Sequence, residues 1–183
     1  MNIDPEKFTE LGISAIKEMA EAAKRNGQQE VEVWHLLSAL MAQEDGIVPA
    51  LLEETGVGVA PVQLSLQREL KALPKIAGDV NTARSYASSA LTEAVEKGQE
   101  ISRKMEDDYV STEHLLLGLA SVGKPETFKQ FLKNFELSEK KIMKSLKELR
   151  GGQKVTSRTP ENSFRALKKY GIDLVEQAKS GKL

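Results

Sequence analysis

The sequence predicts an all-α protein built from two tandem four-helix repeats related by a pseudo-twofold axis. Apolar residues recur at three- and four-residue steps along most of the chain, and no stretch alternates as a half-buried strand would. The same order of motifs occurs twice, at an offset of 79 residues, the separation of His35 from His114. At 40% hydrophobic and 29% charged residues, the 183-residue chain has the composition of a globular protein.

Four helices are predicted in the first repeat. The first begins at Asp4-Pro5, an N-cap followed by a proline whose fixed φ suits the first helical position, and it ends at Asn26-Gly27. The other three cover Val33–Gln43, Val48–Glu54 and residues 61–73. Each carries an apolar stripe on one face, so each is expected to pack against its neighbours.

The second repeat follows the first, element by element. The segment Val31–Leu40, which contains Trp34-His35-Leu36-Leu37, aligns with Val110–Leu119, which contains Glu113-His114-Leu115-Leu116. Each repeat is therefore predicted to be a long helix, two short helices and a long helix. Two such units are expected to bury their apolar stripes against each other and to leave a groove between them.

The domain organisation follows from these boundaries. Residues 1–150 are predicted to form the repeat domain, with repeat one at 1–74 and repeat two at 82–150. The loop Lys75–Thr82 joins them. Residues 151–183 are predicted to be a flexible polar linker, Gly151–Pro160, and a further amphipathic helix that leads into a missing domain.

Charge and hydropathy argue against nucleic-acid and membrane partners. The formal net charge is −1, from 26 Lys and Arg against 27 Asp and Glu. The basic stretch 138–158 has no interleaved aromatic residues, so it is interpreted as a solvated helix end and linker rather than a nucleic-acid surface. The chain shows no apolar leader and no apolar run near the length of a membrane span, which predicts a cytoplasmic protein.

The residues offer few means for catalysis or metal binding. There is no cysteine and no phosphate-binding loop, and the two histidines lie at the third position of a short helix, where capping or packing is expected. Ser111 is predicted to be an N-cap, with Glu113 favoured in the first turn by the helix dipole. The acidic run Glu106-Asp107-Asp108 is interpreted as a solvated corner between helices. No catalytic residue, metal site or cofactor site is therefore predicted, and the chain is not expected to be an enzyme.

The repeats with their His-Leu-Leu helices resemble the Clp repeat, the amino-terminal domain of Hsp100 unfoldases. Four stretches resemble the ClpB/Hsp100 disaggregase family in particular: Glu69–Lys75, Leu149–Gly152, Ala166–Leu174 and Gly181-Lys182-Leu183. In that family the last triplet directly precedes the first AAA+ ATPase module. The resemblance covers the whole chain.

The resemblance implies the substrate-recognition domain and linker of a stress-response chaperone. Such a parent protein is a homohexameric AAA+ ATPase that resolubilises aggregates together with the DnaK system. Its ATP and Mg²⁺ sites lie in modules outside this chain, and the isolated domain is expected to be monomeric. An alternative is the adaptor-binding amino-terminal domain of a ClpC/ClpA-like partner of a Clp protease. A free-standing enzyme or a nucleic-acid binder is the third interpretation.

The resemblance also implies a client-binding groove between the repeats. The family's groove residues match Thr9, Asp107 and Glu113, and Val95, Ile101 and His114 are expected to form its walls. The family more often has an apolar residue at the position of His114. Such a groove would bind exposed hydrophobic segments of unfolded or aggregated proteins, flanked by Lys or Arg, weakly and without a sequence code.

Overall fold

The computed structural model describes residues 3–76 and 85–160 of the chain. This part contains eight α-helices: α1 Glu10–Arg25, α2 Val33–Met41, α3 Ile47–Glu54, α4 Val59–Ala72, α5 Ser89–Lys104, α6 Thr112–Ser121, α7 Glu126–Asn134 and α8 Glu139–Arg150. It also contains two strands of two residues, β1 Glu30–Val31 and β2 Tyr86–Ala87. The all-α prediction is confirmed.

The long, short, short, long order of each repeat is confirmed. The helices of the first repeat have 16, 9, 8 and 14 residues. Those of the second have 16, 10, 9 and 12 residues. The predicted boundaries of α2 and α3 differ from the observed ones by at most two residues.

The predicted start of the first helix is wrong by five residues. Asp4-Pro5 begins a three-residue 3₁₀ turn, in which the Asp4 carboxylate accepts a hydrogen bond from the Glu6 N–H. The helix α1 begins at Glu10, and its N-cap is Thr9, whose Oγ1 accepts from the Gly12 N–H at 3.1 Å.

The reason for this shift is a contact with the other repeat. Phe8 pairs in parallel with Val110, whose N–H donates to the Lys7 carbonyl at 2.8 Å and whose carbonyl accepts from the Thr9 N–H at 3.0 Å. The backbone must be extended at Phe8 to make these bonds, so the helix can begin only after it.

The two strand pairings display the pseudo-twofold symmetry. In the β1–β2 pair, Val31 lies opposite Ala87, and the second pairing joins Phe8 to Val110. With the offset of 79 residues, Ala87 is equivalent to Phe8, and Val110 is equivalent to Val31. Each pairing therefore joins the segment before one repeat's long helix to the segment before the other repeat's first short helix.

The repeats share one hydrophobic core. The buried Trp34 of α2 contacts Phe128 and Phe131 of α7 edge-on, with ring centroids 4.8 and 5.2 Å apart. Such edge-to-face pairs add to the stability that burial of the rings supplies. The aromatic contact joins the first repeat to the second.

Two glycines allow α5 and α6 to approach closely. A Cβ at Gly118 would lie 2.1 Å from the carbonyl oxygen of Ala94, and one at Gly98 would lie 2.9 Å from that of His114. Neither position can hold a side chain unless the helices separate. This close packing fixes the position of α6, whose first turn carries Glu113 and His114.

The segment after α8 does not leave the domain as a flexible linker. Gly151 ends α8 in the left-handed conformation, with φ 55°, and the chain then turns back over the repeats. Val155 is fully buried and belongs to the core. The division at residue 150 stays a prediction. The predicted terminal helix and most of the loop Lys75–Thr82 lie outside the described residues.

Candidate functional site

The six residues predicted to form the groove are all buried. Thr9, Val95, Glu113 and His114 are fully covered, whereas Ile101 and Asp107 keep 7% and 9% of their surface exposed. The structure brings the three polar side chains of the second repeat into one network, and it uses Thr9 as the N-cap of α1. The prediction that these residues contact a client stays a prediction.

The network consists of Asp107, Glu113, His114 and Arg150, which we call the Asp107 cluster. Arg150 donates from Nη1 to Asp107 Oδ2 at 2.7 Å and from Nε to Glu113 Oε1 at 3.2 Å. His114 donates from Nε2 to the same Asp107 oxygen at 2.9 Å. One buried cation thus bridges two buried carboxylates, as a guanidinium fork is suited to do.

Local capping orients the imidazole of His114. Ser111 is the N-cap of α6, as predicted, and its side chain accepts from the His114 backbone N–H. In return the Ser111 N–H donates to His114 Nδ1 at 2.9 Å. Because Nδ1 accepts, Nε2 carries the proton and must donate, and Asp107 Oδ2 is its acceptor.

The cluster keeps both carboxyl groups ionised. Burial would raise the pKa of Asp107, but hydrogen bonds from His114, Arg150 and the Val155 N–H outweigh burial and hold the pKa at about 2. Burial acts in the same direction on Glu113, and the charge of Arg150 overcomes it, so the pKa of Glu113 is lowered. Burial acts to lower the pKa of Arg150, but Glu113 and Asp107 raise it.

The first repeat contains an equivalent of this cluster, with Gln28 in place of Asp107. Gln28, Glu32 and His35 occupy the positions that the offset of 79 assigns to Asp107, Ser111 and His114. The Glu32 N–H donates to His35 Nδ1 at 2.9 Å, and His35 Nε2 contacts Gln28 Oε1 at 2.8 Å. Burial lowers the pKa of His35 to about 4. The capping role predicted for both histidines is confirmed.

Two predictions about charged residues are wrong. Asp107 does not belong to a solvated corner, because its side chain is buried among charged donors. Arg150 is not part of a solvated helix end, because it is buried against Asp107 and Glu113. Glu106 does lie in solvent, where it pairs with Lys154.

Residues 153–158, which we call the crossing segment, lie directly over the Asp107 cluster. The Val155 N–H donates to Asp107 Oδ1 at 2.7 Å, and the Asp108 N–H donates to the Val155 carbonyl at 3.0 Å. The Arg158 carbonyl accepts from the N–H of Glu10 at 2.8 Å, at the first residue of α1. The segment therefore extends from the end of α5 to the start of α1.

A surface concavity adjoins the cluster, between α5, α8 and the crossing segment. Half-buried methionines and the stems of lysines line it: Lys104, Met105, Met143, Lys147 and Lys154. Methionine is flexible and polarisable, so a methionine floor can adapt to apolar groups of different shape. Of the six predicted groove residues, Asp107 is the one that lines this concavity.

The described residues show neither a metal centre nor a membrane span. Among them, no three His, Asp or Glu side chains are grouped so that they could hold a metal ion. None of the described helices combines the length and the hydropathy that crossing a bilayer requires.

Comparison with known proteins identifies the family. The family model described as "Clp repeat (R) N-terminal domain" matches residues 7–135, which is more than half of the chain. The chain belongs to this family. The matched residues run from the first turn of the structure to the end of α7 and so include seven of the eight helices.

Relatives that match over nearly the full chain include ClpB chaperones. "Chaperone protein ClpB" of Nitratidesulfovibrio vulgaris is 38% identical over 182 residues, which cover 99% of this chain and 21% of the relative. That of Clostridium perfringens is 32% identical over 184 residues, 100% of this chain and 21% of the relative. The chloroplastic ClpB3 of Arabidopsis thaliana is 34% identical over 179 residues, 97% of this chain and 18% of the relative. The chain spans about a fifth of the length of these relatives.

Solved structures share the fold. The Hsp104 N-terminal domain of Candida albicans superposes with a TM-score of 0.72 at 23% identity and covers 85% of this chain and 99% of that one. The N-domain of ClpV from Vibrio cholerae gives a TM-score of 0.65 at 14% identity, with 87% and 98% covered. The chain therefore has the fold of the Clp N-terminal domains.

Proposed function

We propose that this chain recognises clients for an ATP-dependent protein disaggregase. It binds exposed hydrophobic segments of unfolded or aggregated proteins and passes them to the ring of its parent. The observation that carries the proposal is the match of the whole chain to ClpB chaperones, together with a Clp N-terminal fold. The parent is a cytoplasmic homohexameric AAA+ ATPase that works with the DnaK system, and its ATP and Mg²⁺ bind outside this chain.

The client face is the concavity between α5, α8 and the crossing segment, beside the Asp107 cluster. Met105 and Met143 supply its apolar surface, and Asp107 supplies a carboxylate at its edge. Val95 is fully covered and Ile101 is 7% exposed, so these two residues of α5 support the fold beneath the surface. Glu113 and His114 act through their hydrogen bonds, because they hold Arg150 and Asp107 in place. Thr9 fixes the start of α1, where the Glu10 N–H binds the far end of the crossing segment.

The chemistry of this face suits transient binding. Met105 and Met143 offer adaptable apolar surface beside the cluster. Binding of this kind depends on apolar burial rather than on a pattern of polar groups, so many sequences can bind. Weak binding also allows release to the ring.

Client binding can be tested by fluorescence anisotropy with a labelled, permanently unfolded polypeptide. Met143→Glu places a charge in the concavity and is expected to weaken binding about tenfold, because the apolar contact there is worth about 1.4 kcal/mol. The control is Leu64→Glu, which adds the same charge at an exposed apolar residue of α4 in the other repeat. Its affinity is expected to match the wild type.

The result that contradicts the proposal is an absence of binding at millimolar polypeptide. If folded adaptor proteins bound instead, the domain would be the adaptor-docking module of a protease partner. If Met143→Glu and the wild type bound the polypeptide with equal affinity, the concavity would not be part of the client face.

A further inference from the structure

The backbone of Val155 is held at both of its polar groups by neighbouring residues. Its N–H donates to Asp107 Oδ1 and its carbonyl accepts from the Asp108 N–H. Every residue except proline carries these two backbone groups, so the arrangement can hold any extended chain without reading its sequence. Selectivity then comes from the side chains on the two sides of the segment.

The side chains of the crossing segment alternate as in an extended peptide lying on a surface. Val155 points into the protein and is fully buried, whereas Lys154 and Thr156 on either side are exposed. Lys154 forms an ion pair with Glu106, immediately before the two aspartates. The segment thus presents a basic residue to a carboxylate and a β-branched apolar residue to the core.

The place of this contact coincides with the proposed client face. Asp107 is one of the residues predicted to bind clients, and the far end of the segment binds the first N–H of α1, next to Thr9. Residues 153–158 therefore cover the junction of the repeats over which a client would lie.

We infer that Asp107 and Asp108 form a peptide-binding subsite that residues 154–156 occupy as an internal ligand. The inference rests on the proposed function and specifies its substrate class. The subsite takes an extended segment with an apolar, β-branched residue in the buried position and a Lys or Arg before it. A client binds the subsite only after it displaces the crossing segment. Competition from this segment therefore lowers the apparent affinity for the client. A proline in the buried position is excluded, because it has no N–H to donate to Asp107.

The test uses a labelled peptide with the sequence of residues 152–158, Gly-Gln-Lys-Val-Thr-Ser-Arg, added to the 183-residue chain. Val155→Asp in the chain is designed to release the crossing segment, because a buried charge without a partner is strongly unfavourable. The matched control is Thr156→Asp, which adds the same charge at the next, exposed position. Val155→Ser is a milder second variant, and Trp34 fluorescence with helical circular dichroism verifies that each variant folds.

The variant Val155→Asp is expected to bind the peptide at least about tenfold more tightly than the wild type, because the competing segment no longer occupies the subsite. Val155→Ser should show the same direction, and Thr156→Asp should equal the wild type. A peptide in which proline replaces the valine that corresponds to Val155 should bind neither the wild type nor any of the variants. If both folded Val155 variants bound the peptide as weakly as the wild type, or the proline peptide bound equally well, the inference would be overturned.

The same variants separate this inference from the proposed function. If an unfolded client bound the wild type and the Val155 variants with equal affinity, the proposed function would stand and the inference would fail. If the peptide bound the Val155 variants while no unfolded client bound any chain, the subsite would stand and the proposed function would fail.

Discussion

Replacing Arg150 should strongly lower the free energy of unfolding, because its guanidinium bridges two buried carboxylates. In Arg150→Met the side-chain volume is largely kept, but Asp107 and Glu113 lose the cation that they share. The pKa of Asp107, about 2 against an ordinary 3.8, corresponds to about 2.5 kcal/mol of stabilisation at 1.36 kcal/mol per unit. Arg150 supplies part of it, and the stranded Glu113 adds to the loss. We expect the free energy of unfolding to fall by about 4 kcal/mol at pH 7, as for other broken buried pairs.

Urea unfolding followed by the fluorescence of Trp34 measures this loss. Trp34 is the only tryptophan and lies at the contact between the repeats, so its emission reports on the shared core. The control is Lys147→Met, one turn earlier on α8 at an exposed position, which should change the free energy of unfolding by less than about 0.5 kcal/mol. Equal effects of the two substitutions would refute the reasoning.

The pH dependence of the same pair of proteins gives a second check. The lowered pKa of Asp107 stabilises the wild type above pH 3.8, and this contribution is lost as the pH falls towards 2. In Arg150→Met, burial raises the pKa of both carboxyl groups, so the folded variant accepts protons at higher pH. The difference between the two proteins should therefore shrink as the pH falls below 5.

Two further predictions concern the first repeat and the α5–α6 contact. Because the pKa of His35 is about 4 in the fold and 6.5 in the unfolded chain, the unfolded chain takes up a proton first as the pH falls. The wild type should lose about 3 kcal/mol of stability between pH 6.5 and 4, and His35→Gln should lack this loss in urea titrations at the two pH values; parallel curves would contradict the argument. Gly118→Ala should lower the free energy of unfolding by about 3 kcal/mol, because its Cβ would lie 2.1 Å from the Ala94 carbonyl oxygen. Gly123→Ala, where a Cβ meets nothing within 4 Å, is the control, and equal melting temperatures for the two variants would show that α5 and α6 separate freely.

Local patterns in the sequence were sufficient for most of the fold. Helix caps, apolar stripes and the internal repeat predicted the order of the eight helices and the N-cap at Ser111, because each depends on residues close together in the chain. The start of α1 could not be predicted this way. It depends on the pairing of Phe8 with Val110, which joins residues about a hundred positions apart.

The burial and pairing of the charged residues Asp107 and Arg150 could not be predicted from local sequence. Local sequence predicts solvated positions for both Asp107 and Arg150, because charged residues near helix ends are usually exposed. Their pairing joins the end of α5 to the end of α8, and neither local pattern contains the other partner. The offset of 79 places Asp107 at the position of the polar residue Gln28, but only the structure shows that Gln28 is buried, so the alignment alone does not reveal the site.

The most direct test of the account is a chemical-shift titration of the 183-residue chain with an unfolded, aggregation-prone polypeptide. The account predicts shifts at Met105 and Met143 of the concavity and at Thr9, Ile101, Asp107 and Asp108. It also predicts shifts in residues 153–158 as the crossing segment is displaced. Shifts centred on the exposed Leu64, or no shift at millimolar polypeptide, would contradict it.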